Sequence, residues 1–83
     1  IGYTDIRLEI PALKTGCIIE VKYAENGQYD KACTKAMKQM EDDGYAEVLR
    51  QDGMQIIHKY GMACYKKSCR VSYCMEKNSE SLD

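Results

Sequence analysis

An apolar strand with two charges in its middle constrains this chain more than any other stretch. Gly16-Cys17-Ile18-Ile19-Glu20-Val21-Lys22-Tyr23 opens on a glycine and is rich in β-branched residues, the pattern of a short buried strand. Side chains alternate along a strand, so Glu20 and Lys22 share one face while Ile19, Val21 and Tyr23 share the other. A carboxylate and an ammonium are costly to bury there unless they pair or hold a metal. Upstream, Tyr3 to Ile10 reads as a second strand, with Ile6, Leu8 and Ile10 on one face and Asp5, Arg7 and Glu9 on the other. If the two strands form a hairpin, Asp5 comes beside Glu20 and Lys22.

The rest of the chain supplies the elements around this pair. Pro11 ends the first strand, because proline cannot donate to a sheet ladder. Glu25-Asn26-Gly27 ends the second, at residue 24. From Gln28 to Asp43, Tyr29, Ala32, Cys33, Ala36, Met37 and Met40 recur at three- and four-residue steps, giving a helix with one apolar stripe. Lys31, Lys35 and Lys38 lie on another side and read as a solvated face, with contact to a nucleic-acid backbone as the alternative. Gly44 fits the helix stop, and Tyr45 to Gln51 reads as a second, short helix. Met54 to Tyr65 reads as a strand, Lys66-Lys67-Ser68 as a turn, and Cys69 to Met75 as the returning strand. The expected fold is therefore α/β, a mixed sheet in the order β-β-α-α-β-β with the main helix on one face. Residues 1–75 form the domain, and the polar stretch 76–83 is expected to be a flexible tail.

Eighty-three residues make one small domain with a thin core, burying roughly 60% of the unfolded surface. The chain opens at Ile1 and enters a strand almost at once, so a fragment of a longer protein is expected. No run is apolar enough to cross a membrane and no signal-peptide pattern appears, which makes a cytoplasmic setting the expectation. The net charge of −1 advertises no global basic field. Locally, residues 54–75 carry Lys59, Lys66, Lys67 and Arg70 and no acid, an end that could meet phosphates or simply be a solvated hairpin tip. The five cysteines include no Cys-x-x-Cys, so reduced, structural cysteines are expected rather than a metal–thiolate centre. His58, the sole histidine, reads as a surface or half-buried strand residue.

Two carboxylates and a lysine converging on a sheet carry a specific chemistry. Phosphodiester hydrolysis needs charge neutralised on the phosphate, a more acidic water and a stabilised leaving oxygen. Magnesium, or manganese in its place, prefers one or two protein carboxylates with waters and phosphate oxygens. Asp5 and Glu20 would be those carboxylates, with the carbonyl of Val21 as a third ligand. Lys22 would orient or activate the water, or stabilise charge on the phosphate. The plainer reading is structural: Glu20 pairs with Lys22 at a sheet end, and Asp5 with Arg7.

The spacing resembles a known pattern. Asp5, a gap, then Glu20-Val21-Lys22 preceded by apolar residues is similar to the PD-(D/E)XK nuclease superfamily. The wider context, Gly2-Tyr3-Thr4-Asp5, Ile18-Ile19-Glu20-Val21-Lys22-Tyr23, Gln39 and Tyr45, resembles the nuclease domain that follows an AAA-type ATPase domain in many bacterial and archaeal proteins. Lys59-Tyr60-Gly61-Met62-Ala63-Cys64-Tyr65 is similar to that family's next strand, and the resemblance covers roughly residues 2–72. It implies a restriction-endonuclease-like core, metal-dependent hydrolysis of DNA phosphodiesters, and an upstream ATPase domain in the parent chain. It implies Asp5, Glu20 and Lys22 as the catalytic set, with Gln39 in support and Tyr45 accompanying it, mainly as packing. The family core begins with a helix and a strand upstream of Gly2. Their absence from this chain would expose a sheet edge, which invites a homodimer. A rival expectation is a catalytically inactive module of the same fold, serving nucleic-acid binding or protein interaction.

Overall fold

The computed structural model describes residues 4–78. Gly2, Tyr3 and the tail expected beyond residue 78 lie outside the described residues. The chain runs β1 (Thr4–Ile10), β2 (Thr15–Tyr23), α1 (Tyr29–Asp42), α2 (Tyr45–Gln51), β3 (Ile56–Tyr65) and β4 (Ser68–Lys77). The four strands form one sheet in the order β1-β2-β3-β4. β1 and β2 are an antiparallel hairpin, β2 and β3 run parallel, and β3 and β4 are again antiparallel. A parallel pair cannot be joined by a tight turn, and the two helices provide the crossover between β2 and β3. This is the mixed α/β sheet expected from the pattern, with a restriction-endonuclease-like architecture.

Burial in β2 alternates strictly: Gly16, Ile18, Glu20 and Lys22 are buried, and the residues between them are half-buried or exposed. The buried face lies under the helices. Ile18 and Ile57 from the sheet meet Met40, Ala46, Leu49 and Met54 in one core cluster, and Ala24 and Ala63 meet Ala32 and Cys33 in a second. α1 approaches β3 closely because Gly61 has no side chain. A Cβ there would stand 2.9 Å from Met37 Sδ and 3.2 Å from Ala36 Cβ. Gly61 is also the register partner of Glu20, so the same glycine leaves room beside that carboxylate.

The other face of the sheet has no helix over it among the described residues. Ile6, Leu8, Ile10, Tyr23, Val71, Tyr73 and Met75 all point there and are exposed. His58 shares that face, half-buried, with its Nδ1 2.7 Å from the Tyr73 hydroxyl.

Two expectations need correction. β4 continues to Lys77, so Glu76 belongs to the sheet and not to a tail. Its carboxylate takes a bidentate pair from Arg50 (2.5 and 2.7 Å) and a third bond from Lys59 (2.8 Å). Those partners lie far away in sequence, and local periodicity could not announce them. The same network buries Lys59, which also bonds Glu41, and so removes it from the basic end seen in the sequence. Reduced cysteines are also not what the structure shows at Cys64 and Cys69. They are register partners across the β3–β4 hairpin, with Cα atoms 4.1 Å apart, and form a disulfide. Cys17, Cys33 and Cys74 are free.

Candidate active site

The hairpin sets Asp5 and Glu20 directly opposite each other, on the face that α1 covers. Lys22 follows two residues along on the same face. Glu20 is 2% exposed and Lys22 7%, whereas Asp5, on the edge strand, is exposed. The site therefore has one buried carboxylate and one open to solvent. Val21 lies between the two charged residues, its side chain on the opposite face and its backbone paired in register with Thr4 and Met62.

Glu20 is buried, with part of its carboxylate unsatisfied among the described residues. Its Oε1 is buried and has no hydrogen-bond partner among the described residues. Leaving such an atom unsatisfied costs about 1–3 kcal/mol, and more for a charged group. Burial raises the pKa of Glu20. Lys22 opposes that rise, and the Asp5 and Asp43 carboxylates add to it.

The lysine is held by the helix. Lys22 Nζ donates to Gln39 Oε1. The Gln39 amide in turn donates through Nε2 to Asp43 Oδ2 at 3.2 Å. With its oxygen toward Lys22 and its nitrogen toward Asp43, the amide has one orientation that satisfies both partners. The helical i, i+4 spacing of Gln39 and Asp43 makes the second bond possible. Tyr45, at the start of α2, donates its hydroxyl to Asp5. That bond, with burial and the neighbouring carboxylates of Asp5, Asp43 and Glu20, raises the tyrosine's pKa. The Arg7 guanidinium lies over the Tyr45 ring, 5.0 Å from its centroid.

The structure thus brings Asp5, Glu20, Lys22 and Gln39 to one place, joined by Tyr45 through a hydrogen bond as well as packing. Asp43 was missed in the sequence. Its only signal there is its position, four residues after Gln39 and two before Tyr45, in an acidic run that reads as an ordinary helix end.

A divalent cation fits this donor set in part. Glu20, with its unpartnered Oε1, is the register partner of a second carboxylate, Asp5, and a hard cation takes carboxylate oxygens. Among the described residues no group of three or more acidic, histidine or cysteine side chains could hold a metal on its own. Two carboxylates could hold a divalent cation only if water and substrate oxygens filled its remaining positions. A sequence model of the PD-(D/E)XK nuclease superfamily matches residues 1–74.

The chain belongs to that superfamily. No curated protein and no solved structure matches it. PD-(D/E)XK nucleases generally use divalent metal ions, and the β1–β2 register sets Asp5 opposite Glu20, with Lys22 two residues along the same strand.

Proposed function

We propose that this domain is a metal-dependent deoxyribonuclease module hydrolysing DNA phosphodiester bonds. The observation that carries the reading is the buried, unpartnered Glu20 oxygen, set beside Asp5 and Lys22 on a face shared by all three. Asp5 and Glu20 would hold Mg²⁺ or Mn²⁺, with a lone pair of the Val21 carbonyl as a further donor. Bound there, the ion would supply charge neutralisation at the phosphate and a more acidic water. Lys22 would place its ammonium against the phosphate or the attacking water. Gln39 keeps Lys22 in position, and Asp43 keeps Gln39 in position. Tyr45 orients the Asp5 carboxylate by donating to it. A bound cation would oppose the rise that burial imposes on the Glu20 pKa, in the same direction as Lys22 does.

In a parent protein we place this module after an ATPase domain and in the cytoplasm, where the Cys64–Cys69 bond would be open to reduction. A homodimer through the exposed edge of β1 belongs to the same reading. The second reading is an inactive nuclease-fold module for nucleic-acid binding or protein interaction. It is favoured by the finding that, among the described residues, no group of three or more acidic, histidine or cysteine side chains could hold a metal on its own.

Incubation of the chain with supercoiled and single-stranded DNA, with Mg²⁺ or Mn²⁺ and with chelator, tests the proposal. Metal-dependent nicking that falls about a hundredfold or more in a folded Lys22→Ala variant is the expected result. Cleavage that is equal in the variant, or absent from the wild type with either ion, favours the inactive module.

A further inference from the structure

The solvent side of α1 carries a set of cations whose arrangement costs the fold stability. Lys31 and Lys35 are one helical turn apart, exposed, and without an ion-pair partner among the described residues. Of the other cations, Lys38 pairs with Asp42 at 2.8 Å, and Lys59 and Arg50 are locked to Glu41, Glu47 and Glu76, whereas Lys66, Lys67 and Arg70 at the β3–β4 end make no ion pair among the described residues, like Lys31 and Lys35. Like charges at i, i+4 destabilise a helix by about 0.2–0.5 kcal/mol. Lys31 also sits in the first turn of α1, where a positive charge opposes the helix dipole. The N-cap residue Gln28 makes no side-chain capping bond there.

These lysines line a continuous depression. A groove of about 210 Å³ is bounded by Lys22, Glu25, Gln28, Lys31 and Lys35, with Tyr23 as part of its wall. A shallower one shares Lys22 and Lys35 with it and runs on past Lys38 to Gln39 and Asp43. At the other end a third shares Gln28 and Lys31 and reaches Arg70, whose guanidinium lies 5.0 Å over the Tyr29 ring. The path therefore runs along α1 from the Gln39–Asp43 end, past Lys22, to Arg70.

We propose that this groove seats the phosphodiester backbone of a nucleic-acid strand, with Lys31 and Lys35 as its principal phosphate contacts and Lys22 at the point where the strand meets the candidate active site. The link to Lys22 rests on the nuclease reading, while the backbone seat rests on the groove and its unmatched lysines. Neutralising phosphates releases counterions, so binding weakens with salt in proportion to the contacts made, by about 0.7 in log–log slope for each phosphate of a single strand. Glu25 and Asp30 sit along the same path and Asp42 and Asp43 at its end, so the path is not uniformly basic, and the lysines select where a phosphate can lie.

Fluorescence anisotropy with a short labelled DNA strand, in chelator, isolates this surface from any metal. The wild type should bind with a salt-dependent Kd. A Lys31→Glu, Lys35→Glu variant should bind about tenfold or more weakly, with a log–log salt slope smaller by about 1.4. Lys31→Arg, Lys35→Arg should keep the wild-type slope, and circular dichroism on these exposed-site variants controls for folding. Unchanged affinity and slope in the glutamate variant, or no binding by the wild type, overturns the proposal. A Mn²⁺ titration of the same proteins separates the two readings. Mn²⁺ binding with DNA affinity indifferent to Lys31 and Lys35 removes the groove alone. Lysine-dependent DNA binding with no Mn²⁺ site keeps the groove and removes the nuclease.

Discussion

Glu20 is held in the core by its place in β2, and it would be more stable there as a neutral group. Its pKa is raised by burial, with Lys22 working the other way. The folded state therefore holds the proton more tightly than the unfolded chain does. The sign follows: ionised Glu20 costs stability above its raised folded pKa, and that cost disappears as pH falls through it. Glu20→Gln, which keeps the shape and removes the charge, should stabilise the domain by about 1 kcal/mol near neutral pH, or roughly 4–8 °C in Tm for a domain of this size. The difference from wild type should close on acidification. Thermal melts from neutral pH downward measure both. A variant that is less stable than wild type at neutral pH would mean that Glu20 is a structural ion-pair partner of Lys22. The strand pattern made this residue legible, because two charges in an alternating apolar run must share a face. The Gln39–Asp43 arm was only half legible: helical spacing allows that bond, but nothing local says that Gln39 also receives Lys22 from another element.

At the scale of elements, β4 is tied to α1, α2 and β3 by a charge network and not only by its ladder. Hydrogen bonds from Arg50 hold the Glu76 carboxylate well below the usual range. Burial works against this, and bonds from Lys59 and Asn78 add to it. Here the sign is opposite to that of Glu20. A depressed folded pKa contributes stability that is complete above the ordinary value of 4.5 and is lost progressively as pH falls below it. Glu76→Gln should cost about 1–3 kcal/mol at neutral pH, since charged hydrogen bonds and a half-buried pair are weakened together. That penalty should shrink below pH 4.5. Denaturant titrations of both proteins at neutral and acid pH check it, and a pH-independent difference would exclude the linkage. The strands and helices themselves were legible from periodicity and breakers, to within a few residues at each end. The end of β4 was not, because what fixes Glu76 comes from Arg50 and Lys59. Nor was the Cys64–Cys69 bond, which depends on hairpin register and not on the spacing of the cysteines.

At the scale of the whole molecule, the defining feature is a sheet that, among the described residues, is covered on one face only. Alternation in β1 told which residues share a face, but not that the apolar set Ile6, Leu8 and Ile10 would be the uncovered one, because a cover is a property of the assembly and leaves no mark in the strand. An exposed apolar face is a candidate contact surface, and among the described residues β1 adds to it an edge with no further strand beside it. Sedimentation of the chain should show a concentration-dependent dimer, and Leu8→Lys, which places a charge on the edge strand, should return it to monomer. A wild type that stays monomeric across the range would exclude the β1 edge as a homodimer contact. Among the described residues no helix is long and apolar enough to cross a membrane.

Calorimetric titration with Mn²⁺ tests the assignment of Asp5 and Glu20 most directly. It compares the wild type with an Asp5→Ala, Glu20→Ala variant that circular dichroism shows to be folded. If the two carboxylates form the site, the wild type binds the ion and the variant does not. Equal binding by both proteins, or none by the wild type, would contradict the assignment of Asp5 and Glu20 as metal ligands.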